Sequence, residues 1–382
     1  MKKNILALLI TSILFFVIVL PIGILSRSTV DEFKVAMVTD FSDVNDASFN
    51  QACYEGCKQW AKEHDITFNY YKPSDVSFAD RVKAIKLAID RGYKVIMCPG
   101  FGLADPIAEI APKHPEVKFI GLDISPSDFP KGFDIMKYHN IAIYNYHEEI
   151  AGYMAGYGAV KEGFRKLGYL GGIAASAVIR FGYGYVQGIN AAAVELSQAG
   201  ELQEKVKVEY IYGGQFFGDS DIYKYIDNWY KSEGTEVVFS CGGSIYTSVA
   251  LSAKENNRYM IGVDTDQSYI IDKDYGEGLC STSAMKGIKQ TVIDKLEQYR
   301  YHGAWQQGFN ELGLVSKDHP EKNYVQLPLD TWRMKNFTIE DYKKLIGEFM
   351  SHEREVVREI DEHPYIDSSV VEVDYNGDGS IK

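Results

Sequence analysis

Acidic, amide and aromatic side chains are grouped in one short stretch near the start of the chain, where together they could recognise a small polar molecule. The four residues are Asp40, Asp46, Phe49 and Asn50. Carboxylates accept hydrogen bonds, an amide both donates and accepts them, and an aromatic ring stacks on a planar group. The stretch has no glycine-rich phosphate cradle, and its carboxylates would repel a phosphate. We therefore predict a site for a neutral or cationic ligand with many hydrogen-bond donors.

The surrounding pattern places this stretch at the edge of a sheet. From Lys34 to about Asp134, apolar strand-like runs alternate with amphipathic helical runs, and a second series of similar size follows from about His147 to Asp264. Such alternation predicts parallel sheets between helices, with the loops that follow the strands collected at one edge, where ligands bind. We predict an α/β fold with two doubly wound parallel-sheet lobes joined by a hinge, which is a ligand-binding clamshell.

The expected domain boundaries follow from these two series. A bilobal ligand-binding unit covers residues 34–362, with the first lobe at about 34–145 plus 265–310 and the second at about 146–264 plus 311–340. Residues 1–33 form an N-terminal segment, and residues 363–382 form an acidic C-terminal tail. A charged helix is predicted over 340–359, and the small residues of the helical run 147–162 favour close packing against a neighbouring helix.

The run TDFSDVNDASFNQACYEG, Thr39 to Gly56, resembles the N-terminal signature of the basic membrane protein family, the nucleoside-binding lipoproteins of bacterial ABC importers. The family pattern is T-D, a short acidic turn, D-x-S-F-N-Q and a later glycine. The resemblance extends roughly from Lys34 to Phe349 and implies the periplasmic-binding-protein type I fold. It also implies that Asp40 and Asn50 bind the edge of a nucleobase. From the residues alone, Asp40 could be a solvated acid and Asn50 a helix cap.

Phe49 and a second aromatic residue are expected to enclose the base. The loop QFFGD, residues 215–219, resembles the S-F-x-D loop of the family, so Phe216 and Phe217 are both candidates, and we favour Phe217. Two adjacent phenylalanines in a polar, glycine-containing loop are unusual as core residues and suit base stacking. Phe181, at the start of a helical run, is a further candidate that simple packing explains about as well.

The resemblance assigns the sugar to a second group of residues. In the family a glycine, an aspartate and a lysine bind the ribose, and these correspond to Gly242, Asp264 and Lys286, with Asp123 joining them from another strand end. A carboxylate can accept from vicinal hydroxyls, the lysine can donate to a ribose oxygen, and a glycine allows the backbone to approach. The alternatives are a hinge salt bridge between Asp264 and Lys286 and a tight turn at the glycines.

Composition and cysteine count narrow the functional classes. The chain has 382 residues, 46% of them hydrophobic, and a net charge of −13, so it can bury a large core and is a poor match for nucleic acid. The five cysteines are odd in number and lack zinc-site spacing, so we expect buried free thiols rather than disulfides. No cofactor is predicted.

The N-terminal segment has the length of a membrane anchor. Lys2 and Lys3 precede an apolar run from Ile5 to Leu25, which is long enough to cross a bilayer and would leave the rest of the chain on the extracytoplasmic face. No A-x-A-like cleavage site follows, and the first cysteine is Cys53, so the lipidated cysteine of the family is missing here. We expect an uncleaved anchor in the cell membrane, with a cleaved signal peptide as the alternative.

A weak metal motif lies in the tail. Asp374, Asn376 and Asp378 match the front half of an EF-hand calcium loop, but the closing glutamate is missing. We therefore predict no metal site beyond this weak calcium candidate.

These features favour a binding protein over an enzyme. We expect a receptor that captures a nucleoside, preferably a purine nucleoside, for an ABC permease, and that is attached to the membrane through its N-terminal segment. The chain has no G-x-S-x-G, Walker or H-E-x-x-H motif. A membrane-anchored nucleoside sensor stays open. A nucleoside hydrolase is less favoured, because DFSDVND fits the aspartate-rich calcium motif of such enzymes poorly.

Overall fold

The computed structural model of the protein describes residues 33–40, 43–359, 362–376 and 379–382. The predicted membrane anchor therefore falls, except for Phe33, outside the described residues. Every helix within the described ranges is too short or too polar to cross a membrane.

Strands and helices alternate along most of the chain. The strands are β1 (Lys34–Val38), β2 (Thr67–Tyr71), β3 (Val95–Pro99), β4 (Lys118–Leu122), β5 (Ile141–Tyr146), β6 (Lys166–Gly171), β7 (Val206–Tyr212), β8 (Val237–Cys241), β9 (Tyr259–Asp264), β10 (Cys280–Lys286), β11 (Gly308–Leu312), β12 (Val325–Gln326) and β13 (Val371–Asp374). The helices are α1 (Phe49–Glu63), α2 (Phe78–Asp90), α3 (Ala104–Ile110), α4 (Glu148–Glu162), α5 (Ser176–Gln198), α6 (Ser220–Asn228), α7 (Tyr246–Asn256), α8 (Ser268–Asp274), α9 (Ile288–His302) and α10 (Ile339–Met350).

Two sheets define two lobes. The first lobe is built on a six-stranded sheet in the order β11-β5-β4-β3-β1-β2, and the second on a seven-stranded sheet in the order β12-β10-β9-β8-β6-β7-β13. Every pairing is parallel except that of β12, which runs antiparallel to β10. The predicted α/β architecture of two doubly wound lobes is therefore confirmed.

The apolar runs form strands because helices cover both faces of the sheet. In β1, Met37 belongs to the same buried cluster as Trp60 of α1, whereas Val38 belongs to the cluster of Ile85 in α2. Successive side chains of a strand point to opposite faces, so a continuous apolar run suits a sheet with helices on both sides. Aspartates lie at or just after the ends of three of these strands: Asp40 after β1, Asp123 after β4 and Asp264 at the end of β9.

Glycines bring α4 and α5 into close contact, as their small residues predict. A Cβ atom at Gly152 of α4 would lie 2.1 Å from the carbonyl oxygen of Phe181, and one at Gly188 of α5 would lie 2.1 Å from that of Tyr153. These approaches exclude any side chain at the two positions. The packing holds the amino end of α5, with Phe181, against the region between the lobes.

One strand lies in a different lobe from the one the sequence indicated. The range 265–310 was expected in the first lobe, but β10 pairs with β9 in the second sheet, where Met285 lies opposite Asp264. The chain returns to the first lobe only after Gly287, where α9 packs on α1 and Val292 lies beside Gly56. Lys286 therefore ends a second-lobe strand directly before a crossover. The predicted boundary between the lobes near residue 146 stays a prediction.

The C-terminal region also differs from its prediction. The helix expected over 340–359 ends at Met350, after which the chain turns back so that Arg354 pairs with Glu348 of α10 and Glu195 of α5. The residues expected to form a separate acidic tail include β13, which extends the second sheet alongside β7, with Val371 buried. Contacts with other elements account for both differences: the ion pairs of Arg354 hold the turned-back chain, and pairing with β7 forms β13.

Candidate functional site

A cleft between the lobes encloses about 650 Å³ of space that protein atoms do not fill. Its walls come from residues at the carboxyl ends of strands in both sheets, as expected for parallel α/β folds. Nine of the ten residues predicted to bind a ligand line it: Asp40, Phe49, Asn50, Asp123, Phe181, Phe216, Gly242, Asp264 and Lys286. The structure thus brings together residues that are up to about 250 positions apart in the chain.

The tenth predicted residue, Phe217, points elsewhere. Its side chain is 57% exposed, while the ring of the neighbouring Phe216 lies in the cleft. A Cβ atom at Gly172 would lie 2.4 Å from that ring and one at Gly242, whose φ is +139°, 2.8 Å from it. The two glycines leave the space that Phe216 occupies, so the structure places Phe216 in the cleft rather than the favoured Phe217.

An ion-pair network joins the lobes at the base of the cleft. Lys286 is 6% exposed, and its Nζ forms ion pairs with Asp123 of the first lobe and, at 3.1 Å, with Asp264 of the second. The same Nζ lies 4.8 Å from the ring centre of Phe49 and 5.3 Å from that of Phe181. Aromatic faces stabilise a buried cation, so the ammonium group is held by charges and rings together.

Burial and charge act against each other in this network. Burial raises the pKa of Asp123 to about 7, because attraction by Lys286 offsets only part of the desolvation and Glu148 and Asp264 add repulsion. Burial alone would lower the pKa of Lys286, but attraction by Asp123, Asp264 and Glu148 outweighs burial and raises it. The lysine is therefore charged throughout the range in which Asp123 titrates.

Asp46, one of the four polar and aromatic residues of the first loop, organises the start of α1. Its Oδ1 accepts from the backbone N–H groups of Ser48 and Gln51, both at 3.0 Å, and its Oδ2 accepts from that of Asn50 at 3.1 Å. The cap of α1 is thus Asp46, so helix capping does not explain Asn50. Burial raises the pKa of Asp46, and these backbone bonds oppose that shift.

Among the described residues that line the cleft, two acceptor atoms are buried without a hydrogen-bond partner. The side-chain nitrogen of Asn50 donates to Asp46 Oδ2 at 3.3 Å, which leaves Asn50 Oδ1 without a partner. Asp123 Oδ1 also has none, since Lys286 bonds the other oxygen. Buried polar atoms are normally satisfied, so these two oxygens mark places where a ligand can donate hydrogen bonds.

Several lining residues were not predicted. Phe101 follows β3 and meets the Phe216 ring across the cleft, with centroids 6.5 Å apart at 61°. Gly100, with φ of +100°, is required because a Cβ there would lie 1.8 Å from Asp40 Oδ2. Asp128 also lines the cleft, and burial raises its pKa. The signal that could have revealed Gly100 and Phe101 is their position directly after β3, whereas Asp128 lies six residues beyond β4 and had no such signal.

A buried pair supports the cleft from behind. Arg180 Nε lies 2.6 Å from Glu148 Oε2, and the two side chains are 4% and 0% exposed. Arg180 Nη1 also donates to Ser125 Oγ of the first lobe at 3.3 Å. Attraction by Arg180 and Lys286 outweighs burial and lowers the pKa of Glu148. Glu148 therefore stays ionised and adds negative potential near Lys286.

The metal and cysteine predictions have separate outcomes. Asp378 of the calcium candidate lies outside the described residues. The side chain of Asn376 is used in protein contacts, since it donates to Tyr210 O at 3.2 Å and accepts from the Tyr225 hydroxyl at 2.9 Å. No cluster of three or more histidine, cysteine or acidic residues suited to a metal occurs in the described parts of the chain. All five cysteines are buried and free, as predicted.

Known proteins resemble this chain in sequence and in fold. Residues 33–318 match the family model described as ABC transporter substrate-binding protein PnrA-like. The chain is 29% identical over 292 residues to the ABC transporter nucleoside-binding protein BmpA of Lactococcus lactis subsp. cremoris, covering 71% of this chain and 77% of that protein. It is 27% identical over 262 residues to basic membrane protein A1 of Borrelia garinii subsp. bavariensis, covering 68% and 70%. A solved structure of an ABC transporter solute-binding protein from Aeropyrum pernix K1 has the same fold, with a TM-score of 0.67 at 18% identity over 86% of this chain and 94% of that one.

Replacing Lys286 by methionine should destabilise the protein in a pH-dependent way. K286M leaves the carboxylates of Asp123 and Asp264 without their cation, a loss of about 3–5 kcal/mol when both are ionised. The pKa of Asp123 is already about 7 in the folded protein, so the cost of its charge is largest above that pH and falls as the group protonates. The deficit in the free energy of unfolding, measured by urea denaturation, should be smaller at pH 5 than at pH 8.

Lys295 provides a matched control. It is also buried, but its Nζ donates to the neutral amides of Gln298 and Gln306. K295M should have a similar deficit at both pH values. An equal deficit for K286M at pH 5 and pH 8 would contradict the proposed role of the network.

Proposed function

Because this chain belongs to the PnrA-like family of ABC transporter substrate-binding proteins, we propose that it captures a nucleoside outside the cytoplasm and delivers it to an ABC permease. The observation that carries the proposal is the pair of unpartnered, buried acceptor oxygens of Asn50 and Asp123, set in one cleft among aromatic rings. A ligand that satisfies both must combine hydrogen-bond donors with a flat apolar face. The similarity to a protein named for nucleoside binding supports the same choice.

The sugar half of the ligand would occupy the ion-pair network. Asp123 Oδ1 has no partner, and Asp264 lies on the opposite wall, so vicinal hydroxyls of a ribose could donate to both carboxylates. Lys286 would compensate negative charge on these two side chains and donate to a ribose oxygen. Hydrogen bonds to charged groups contribute roughly 1.5–3 kcal/mol each, whereas micromolar affinity needs about 8 kcal/mol in total.

The base half would lie between Phe49 and Phe216. Asn50 presents its carbonyl oxygen to the cleft because Asp46 holds its nitrogen, and Asp40 adds a carboxylate, so the base edge must offer donors. Purines that carry N–H groups on that edge meet this requirement. The Phe101 ring, packed against Phe216, would hold the stacking ring in place.

Electrostatics favour the free nucleoside over its phosphates. Five aspartates and one lysine line the described cleft: Asp40, Asp46, Asp123, Asp128, Asp264 and Lys286. The lysine is already paired with two carboxylates, so a phosphate would meet an excess of negative charge in a site of low dielectric. The proposal includes no catalytic step.

The location of the receptor rests on the N-terminal sequence. Lys2 and Lys3 followed by the apolar run from Ile5 to Leu25 support an anchor in the cell membrane with the binding lobes on its outer face. Since the first cysteine is Cys53, we propose that this segment replaces the lipid anchor of the family.

Calorimetric titration tests the proposal directly. The full chain, freed of co-purified ligand, should release or absorb heat on titration with guanosine, inosine or adenosine, with micromolar or tighter dissociation constants. Uridine should bind more weakly because its base stacks over a smaller area, and ribose alone should bind most weakly. Absence of binding to every nucleoside would overturn the proposed function, and release of free base during incubation would show a hydrolase instead.

The two adjacent phenylalanines give a paired test of the base site. F216A should weaken guanosine binding by about 5- to 150-fold, since base–aromatic stacking contributes roughly 1–3 kcal/mol. F217A should change the dissociation constant by less than about twofold, because its ring is 57% exposed and outside the cleft. The opposite pattern, measured by the same titration, would mean that Phe217 is the stacking residue.

A further inference from the structure

The serine before α1 does not cap the helix. Ser48 occupies the N-cap position, but its side chain makes no capping hydrogen bond, because Asp46 accepts from the first backbone N–H groups. The hydroxyl of Ser48 instead donates to Asp264 Oδ2 across the cleft at 2.6 Å, and both residues are buried. Serine usually stabilises a helix start through its own side chain. Its hydroxyl is used here to join the lobes.

Ala47, the residue before Ser48, also contacts the second lobe, through its backbone carbonyl group and its methyl group. The carbonyl oxygen of Ala47 accepts from Thr265 Oγ1 at 3.2 Å and from Gln267 Nε2 at 3.1 Å. Its side chain belongs to the buried apolar cluster of the second lobe, with Tyr246 and Ile271. Ala47 has φ of +52°, a conformation that non-glycine residues rarely adopt, and the surrounding contacts hold it there.

The partner side of this contact is held in place. Gln267 is fully buried, and its Oε1 accepts from the backbone N–H of Val263 at 3.0 Å, which leaves its nitrogen directed to Ala47. Asp264 divides its two oxygens between Lys286 and Ser48. The second lobe thus presents fixed donors and an acceptor to residues 47–48 of the first lobe.

We propose that Ala47 and Ser48 form a latch that keeps the cleft closed, and that Ser48 is a positioning residue linking the ligand at Asp264 to closure of the lobes. The link to a ligand rests on the proposed nucleoside function. A sugar that donates to Asp264 in the closed cleft holds the carboxylate where it also accepts from Ser48. In an open protein these groups are separated, so the latch bonds exist only after closure. The latch therefore controls how slowly a ligand leaves and has little effect on how fast it enters.

Dissociation kinetics test the latch. In stopped-flow displacement of bound guanosine, S48A should raise the dissociation rate about tenfold while the association rate changes by less than about twofold, since the bond lost has a charged acceptor. T265V, which removes a second crossing bond but keeps the shape of the side chain, should act in the same direction with a smaller effect. S48A should fold normally because Asp46 is retained, which circular dichroism checks.

Ser77 supplies a matched control for loss of a serine at a helix start. Its side chain does cap α2, accepting from the N–H of Asp80 and donating to the Asp80 carboxylate, so these bonds of Ser77 stay within the first lobe. S77A should lower the melting temperature yet leave the guanosine dissociation rate unchanged. An S48A dissociation rate equal to that of the wild type would overturn the latch while leaving nucleoside binding intact.

Failure of the latch and failure of the proposed function give different results. If the wild-type protein binds no nucleoside in the calorimetric titration, the proposed function is overturned. If the wild type binds guanosine and releases it at the same rate as S48A, the latch alone is overturned.

Discussion

The structure depends on keeping one ammonium group buried between carboxylates from opposite lobes. Lys286 ends β10 directly before the chain crosses to the first lobe, and it pairs there with Asp123 and Asp264. A buried charge without its partner is strongly destabilising. The two lobes must therefore meet in an arrangement that brings both aspartates to the lysine, and this requirement determines where the cleft lies.

The same constraint shapes what the cleft can hold. Lys286 is already neutralised, so a ligand finds acceptors in excess and must supply hydrogen-bond donors without adding negative charge. The acidic loop after β1 contributes in two ways. Asp46 caps α1, which frees Ser48 to bond the other lobe and leaves the carbonyl oxygen of Asn50 free to accept a hydrogen bond in the cleft. One carboxylate that stabilises a helix thus also orients the residue that we propose binds the base and the residue that we propose holds the cleft closed.

Much of the site could be predicted because polar residues at the ends of apolar strands gather at one edge of a parallel sheet. This placed Asp40, Asp123 and Asp264 correctly without knowledge of their contacts. Which of two adjacent phenylalanines enters the cleft depends on space left by distant glycines, which local sequence does not show. The lobe that contains β10 and the strand formed by the tail depend on hydrogen-bond partners far along the chain. The sequence around Glu148 and Arg180 does not show whether this ion pair is buried or exposed.

The central claim is that the paired carboxylates at Lys286 accept the hydroxyls of a sugar. Calorimetric titration of the same protein with guanosine and with 2′,3′-dideoxyguanosine tests it most directly, because the analogue keeps the base and loses only the donors. The analogue should bind at least about a hundredfold more weakly, since buried acceptors would be left unpaired. Equal affinity for the two compounds would contradict it.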